Sequence, residues 1–256
     1  MDEVSTAATV FYPELRGKRA VVTGAGKGIG AETVDGLITQ GCYIIAISRT
    51  QADLDKLKQK YDSTKIETIL LDITHWNEVD NIFSKLEPFH YLINNAGIAI
   101  CGPFLQVSEQ DIDSVFGVNV KACLHVAQCA AKKMLENKIK GVVVNISSQA
   151  SKRPIKDHTM YCCTKAALDM LTKMMSLELG PSEIRTVSVN PTVVMTDMGR
   201  KNWSEPSKSE SMLSQIPLRR FAEVDEVVKP ILFCLSDGAA MINGCDVNID
   251  GGFVSA

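Results

Sequence analysis

Seven short apolar runs alternate with longer segments of helical spacing, and this alternation limits the chain to one architecture. The runs fall at 19–23, 43–48, 66–71, 91–94, 141–147, 185–190 and 246–249. They are rich in Val and Ile and almost uninterrupted, as strands covered on both faces must be. Between them, 54–60, 79–86 and 112–134 carry apolar residues at helical spacing. Repeated strand–helix order implies a parallel sheet with right-handed crossovers. The expectation is an α/β protein with a single doubly wound parallel sheet of about seven strands and helices on both faces. The 256 residues suit one such unit. Residues 1–15 read as a flexible N-terminal tail, and 16–256 as a single domain.

Composition narrows the function. With 27 basic and 30 acidic side chains the net charge is −3, so no footprint for nucleic acid or an anionic membrane is expected. No apolar run reaches the ~18 residues of a membrane span. The first dozen residues fit neither a secretory nor a mitochondrial signal, which points to the cytoplasm. The eight cysteines include no C-x-x-C pair. The four histidines, His75, His90, His125 and His158, are read as making no cluster with them, so no metal is expected. The cysteines are read as small buried residues in a reducing compartment. One stretch, 191–217, is polar, holds three prolines and is long for a connection. Placed after the sixth strand, it reads as a substrate lid.

Directly after the first strand comes Thr23-Gly24-Ala25-Gly26-Lys27-Gly28-Ile29-Gly30, then a helical stretch. Glycines allow a tight turn and close approach of a pyrophosphate to a helix N-terminus. The pattern is G-x-x-x-G-x-G, with Ile29 in the last glycine slot of the stricter dinucleotide motif. Strand, turn, helix and next strand together indicate a Rossmann-type dinucleotide site. The second strand ends at Ser48-Arg49-Thr50. An acid there would bind a ribose 2′-hydroxyl. Instead Arg49 and the turn's Lys27 offer two cations, which suits a 2′-phosphate and hence NADPH/NADP+. The competing reading is two solvated surface charges.

A second constellation follows the fifth strand: Ser148, then Tyr161 and Lys165. Four residues apart, Tyr161 and Lys165 share one helix face. A free tyrosine has a pKa of about 10, and an adjacent ammonium can lower it by about 1–3 units. A hydroxyl at a strand end such as Ser148 can hold a carbonyl oxygen. Y-x-x-x-K alone is common by chance, and its weight comes from the glycine turn and the serine before it.

These motifs, with Asp72, Asn94-Asn95-Ala96-Gly97, Asn119, Asn190-Pro191, Thr196 and Asp250-Gly251-Gly252, resemble the short-chain dehydrogenase/reductase family from about 19 to 252. Thr192 departs from the family's glycine. The resemblance implies that Tyr161 gives a proton to a substrate carbonyl, that Lys165 lowers the tyrosine pKa and binds the nicotinamide ribose, that Ser148 orients the carbonyl oxygen, and that Asn119 holds a water linking Lys165 to solvent. It implies cofactor contacts at Gly24, Lys27, Gly28, Ile29, Gly30, Arg49, Thr50, Asp72 (adenine), Asn94 (adenosine ribose), Ala96, Gly97, Val194 and Thr196 (carboxamide), besides Tyr161 and Lys165. It also implies a homotetramer. The helix after Tyr161 carries apolar residues on more than one side, which independently calls for a second partner.

Within the family, Ser48 to Asp55, Asn190 to Thr196, Ala167 to Lys173 and Phe221 to Val224 resemble a carbonyl reductase subgroup. That subgroup reduces L-xylulose to xylitol, and small α-dicarbonyls such as diacetyl. The substrate, a small-molecule sugar or dicarbonyl, is then expected against Ser148, Gln149, Ile155, His158, Tyr161 and Trp203. Trp203 could instead pack the lid, and His158 could cap a helix or face solvent. Cys162 and Cys163 flank Tyr161 and are read as structural. Two other readings stay open: another carbonyl reductase of the family, for acyl-carrier ketones, steroids or retinoids, and a catalytically silent dinucleotide sensor.

Overall fold

The computed structural model describes residues 11–196, 199–200, 203 and 205–256. Seven strands, β1 (Arg19–Thr23), β2 (Tyr43–Ser48), β3 (Ile66–Leu70), β4 (Tyr91–Asn94), β5 (Val142–Ile146), β6 (Arg185–Pro191) and β7 (Asp246–Ile249), form one sheet in the order β3-β2-β1-β4-β5-β6-β7. Every pairing is parallel. The expected fold class is thus the observed one. The strands lack alternation because both faces are covered. Ala20, Val22, Ile44 and Val144 join one core. Their sequence neighbours Val21, Ile45 and Val143 join the other. Helices α1 (Gly28–Thr39) and α8 (Val224–Leu235) close the first core through Val34, Leu37, Val227 and Ile231. Helices α3 (Trp76–Lys85) and α5 (Cys123–Glu136) close the second through Val79, Phe83, Val126 and Met134. From β1 the chain moves outward to β3, then returns to β4 at the other side of β1. This reversal opens a crevice at the strand C-termini, where ligands of such sheets bind.

Between the strands lie α2 (Gln51–Lys60), α4 (Glu109–Phe116) and α6 (Thr159–Leu179). Three expectations are corrected. The helix expected over 112–134 is α4, a π-helical segment over Gly117–Ala122, and α5. Ser108 and Asp111 start α4 with a reciprocal capping box. The π segment keeps the helical path continuous from α4 into α5. The stretch 191–217 is not a plain loop: it contains α7 (Pro206–Leu213), with Met212 and Ile216 buried. The tail boundary also moves. Residues 1–10 lie outside the described residues, but Pro13–Leu15 form a 3-10 turn, Leu15 is fully buried, and Tyr12 N donates to Gln40 Oε1 at 2.7 Å.

Thr192 needs no glycine-like backbone: its N–H donates to Ile249 O at 2.9 Å and continues the β6–β7 pairing. No helix among the described residues is long and apolar enough to cross a membrane. Cys42, Cys123 and Cys234 are buried as expected, but Cys163 is exposed and Cys162 half-buried, because that face of α6 turns from the sheet. One further expectation fails. His125 and Cys129, four apart on α5, meet Asp80 of α3, with His125 Nε2 3.1 Å from Asp80 Oδ1 and Cys129 Sγ 3.9 Å from His125 Nε2. Spacing of four puts both side chains on one helix face, and the α3–α5 packing adds the carboxylate.

Candidate active site

The glycine turn joins β1 to α1 at the edge of the crevice. Gly28 has φ +58, and a Cβ there would sit 3.1 Å from Thr196 Cγ2. A Cβ on Gly30 would come within 2.2 Å of Gly24 O. Any side chain at 30 would therefore force the turn open. The first N–H groups of α1, at Gly28, Ile29 and Gly30, have no partner within the helix and carry its positive end. Asn95 holds the turn from below: its Nδ2 donates to Thr23 O and Gly24 O at 3.0 and 3.1 Å, and Thr23 Oγ1 accepts from Asn95 N and Ala96 N. A pre-shaped cradle of free N–H groups fits a nicotinamide dinucleotide's pyrophosphate.

Lys27, Arg49 and Thr50 are exposed at the ends of the turn and β2. The structure adds a carboxylate the sequence pattern did not reveal: a Cβ on Gly26 would meet Asp53 Cβ at 2.4 Å, so α2 lays Asp53 against the turn. Asp72, just past β3, is half-buried. Burial works against its ionisation, yet the Thr74 N–H and hydroxyl, with the charges of His75 and Arg49, hold its carboxyl below the usual range. The Asn94 side chain is buried and donates to Cys123 O at 2.9 Å.

At the far side of the crevice β5 delivers Ser148, and α6 delivers Tyr161 and Lys165. Ser148 Oγ accepts from Ala150 N at 3.1 Å, and Asn190 Nδ2 donates to Ser148 O at 3.3 Å. Asn190 is in turn held by buried Asp169 at 3.0 Å, which also accepts from Ser188 Oγ and Lys152 Nζ. Burial opposes the Asp169 charge, but the hydroxyls of Ser151, Ser147 and Ser188 and the Lys152 ammonium keep its pKa low. Asp169 is a positioning residue that sequence reasoning missed. Nothing near it in sequence signals its role, since its partners come from β6 and the turn after β5.

Desolvation governs the phenol of Tyr161. Burial pushes its pKa up, and the Ser148 hydroxyl pulls it back only in part. Lys165 Nζ lies 5.6 Å from the Tyr161 ring centre and donates to Ile146 O at 2.7 Å. Burial pulls the Lys165 pKa down to about 8. The ammonium thus bonds to backbone while lying over the Tyr161 ring. Gly97 passes close over it, since a Cβ there would lie 3.3 Å from Asn119 Oδ1 and 3.6 Å from Lys165 Nζ. Asn119 sits in the π segment, buried. Its side chain accepts from Ile98 N at 2.8 Å and donates to Ile98 O and Thr164 Oγ1. Both amide hydrogens are thus engaged, while Oδ1 keeps one lone pair.

The residues expected against the substrate come from several places in the chain. His158 Nδ1 donates to Lys156 O at 2.7 Å, which fixes the tautomer of the neutral ring with Nε2 as acceptor. His158 precedes α6 but makes no cap bond, and it is buried rather than solvent-facing. Its ring lies 6.4 Å from that of Tyr161 and 6.4 Å from that of Trp203, nearly parallel to the latter. Trp203 also meets Phe221, and Ile155 packs into the same cluster as Met212 and Ile216. Gln149 is buried with Nε2 3.7 Å from Met212 Sδ, and its Oε1 has no hydrogen-bond partner. Val194 is buried and bridged to Ala222. Thr196 Oγ1 accepts from Gly199 N, with its methyl toward Gly28. The set therefore brings two hydroxyls and an ammonium beside a dinucleotide cradle, under an aromatic and amide wall. This arrangement can protonate a carbonyl oxygen while hydride arrives.

Residues 18–207 match the family model described as short chain dehydrogenase. The chain is 50% identical over 244 residues to D-erythrulose reductase of Gallus gallus, covering 94% of this chain and 98% of that protein. It is 49% identical over 241 residues to L-xylulose reductase of Mus musculus, with the same 94% and 98% coverage. A gluconate 5-dehydrogenase of Burkholderia cenocepacia, solved with NADP and tartrate, superposes with a TM-score of 0.89 at 26% identity, covering 95% of this chain and 98% of that one.

Proposed function

The chain belongs to the short chain dehydrogenase family, and from that premise we propose that it reduces L-xylulose and small α-dicarbonyls such as diacetyl with NADPH. It is an oxidoreductase of CH–OH groups that uses a nicotinamide dinucleotide. Such a cofactor supplies the hydride. The rest is the work of this chain's own residues. Ser148 donates a hydrogen bond to the carbonyl oxygen, and Tyr161 gives it the proton. In its charged form Lys165, once drawn from Ile146 O toward a ribose hydroxyl, favours the phenolate that results. The Asp169–Asn190 pair holds the Ser148 backbone in place.

The observation that carries the substrate reading is the buried, unpartnered Gln149 Oε1 beside Met212, in the same wall as His158. A buried acceptor without a donor is costly, and a substrate hydroxyl would satisfy it. A ketose has such a hydroxyl next to its carbonyl. The two relatives above carry short ketoses in their names, which supports the same class. Lys27 and Arg49, exposed beside the turn, support a 2′-phosphate and hence NADPH. The 191–217 stretch, α7 included, is the proposed lid. For self-association to a homotetramer, the support is Met170, Met174 and Leu177, 58%, 44% and 71% exposed at spacings of four and three along α6.

The test follows loss of NADPH or NADH with L-xylulose, D-erythrulose and diacetyl, with Tyr161→Phe as the blank. Turnover of the ketoses and diacetyl with NADPH in preference to NADH is the expected result. Activity confined to large apolar ketones would replace the substrate assignment, and cofactor binding without any turnover would leave a sensor. Sedimentation of the purified chain decides the tetramer.

A further inference from the structure

We propose that Asp80, His125 and Cys129 form a site for one borderline-soft divalent cation of the Zn2+ type, a staple between α3 and α5 that takes no part in carbonyl reduction. Among the described residues this is the one group of three metal-capable side chains whose ligand atoms all lie within 4.8 Å of one another. Asp80 Oδ1 is 3.1 Å from His125 Nε2 and 3.4 Å from Cys129 Sγ, and Sγ is 3.9 Å from Nε2. Metal–ligand lengths of about 2.0 Å for N and O and about 2.3 Å for S, at tetrahedral angles, give edges of about 3.3 Å for N–O and about 3.5 Å for S–O and S–N. The three observed edges already lie within a few tenths of an ångström of that triangle.

The geometry also argues against a nucleophilic Cys–His–Asp relay. In a relay the acid and the nucleophile address opposite ring nitrogens. Here Asp80 Oδ1 and Cys129 Sγ address the same one, Nε2. Three metal-capable atoms gathered within a few ångströms of one another can share one cation. One imidazole, one thiolate and one carboxylate form a set that suits Zn2+ over Mg2+ or Ca2+. The ring plane is fixed as a site requires: Trp76 stacks on His125 at 4.0 Å with a 2° tilt. The Asp80 side chain is 59% exposed and that of His125 9%, so the site has an inner wall and an open mouth. On binding, the Cys129 S–H bond breaks, the sulfur–metal bond forms and the proton leaves to solvent.

The experiment uses the full chain, treated with chelator and titrated with Co2+ under reducing conditions. The expected result is a near-ultraviolet thiolate-to-cobalt charge-transfer band that saturates at one cobalt per chain and is displaced by Zn2+. Cys129→Ser should abolish the band. Asp80→Asn, at an exposed position with little bearing on folding, should weaken Co2+ binding by about tenfold or more. Turnover in both variants should stay near wild type. Absence of the band in the wild type, or a band unchanged in Cys129→Ser, would overturn the proposal. Such an unchanged band would assign the signal to another thiol such as exposed Cys163.

Discussion

The two ends of the crevice are built in different ways. The dinucleotide end is made of backbone: eight consecutive residues, Thr23 to Gly30, shape it, and one neighbour, Asn95, braces it. The proposed substrate end is made of side chains from Gln149, Ile155, His158, Tyr161 and Trp203, with Met212 of α7 against them. Backbone N–H groups recognise phosphate whatever else the cofactor carries, so that end suits any member of a large family. A wall of side chains is specific, and its buried polar groups must find partners in the substrate. The difference teaches where variation changes chemistry and where it only breaks the fold.

Changes at the substrate end should alter turnover without unfolding. Tyr161→Phe is expected to reduce turnover by about 10²–10⁴ while dinucleotide binding, read by NADPH fluorescence, persists. Near-normal turnover would remove Tyr161 as the acid. Lys165 sharpens the contrast through stability. Its folded pKa of about 8 lies below the ordinary 10.5, so between those values the unfolded chain binds more protons and stability rises with pH. Below about pH 8 the folded protein carries a penalty on the order of 3 kcal/mol. Lys165→Met removes it, less what Ile146 O loses with its donor. The variant should be inactive yet more heat-stable than wild type at pH 7, with the advantage fading above pH 10.5 in melting curves.

At the dinucleotide end the damage should be structural. Gly30→Ala puts a methyl 2.2 Å from Gly24 O, and an overpacked backbone contact costs about 1–3 kcal/mol, so both the melting temperature and NADPH affinity should fall. Arg49→Asp leaves the turn intact and should weaken NADPH about tenfold or more while sparing NADH. An unchanged preference would pass the 2′-phosphate to Lys27. Smallest is Gln149→Leu: KM for a ketose should rise a few-fold with kcat nearly kept, and KM for diacetyl, which has no hydroxyl for Oε1, should not rise.

Much of this was legible in the sequence. Nearly continuous apolar runs such as 43–47 or 142–144, alternating with helical segments, read as strands covered on both faces, and that points to the parallel sheet. The glycines of 24–30 and the four-residue step from Tyr161 to Lys165 are local facts, because turns and helix faces are set by neighbours in the chain. What depended on distant partners was not legible. Asn94 bonded inward to Cys123, and Asn119 bonded to Ile98 from within a π segment. Lys165 bonded to Ile146 O, and burial raised the Tyr161 pKa that charge alone would have lowered. Asp169 found Asn190, and His125 with Cys129 found Asp80. The sequence determines which face of an element each side chain occupies. Which group it meets there, and how much water remains around it, is decided only when the layers close, because hydrogen bonds and desolvation act over a few ångströms in space and not along the chain.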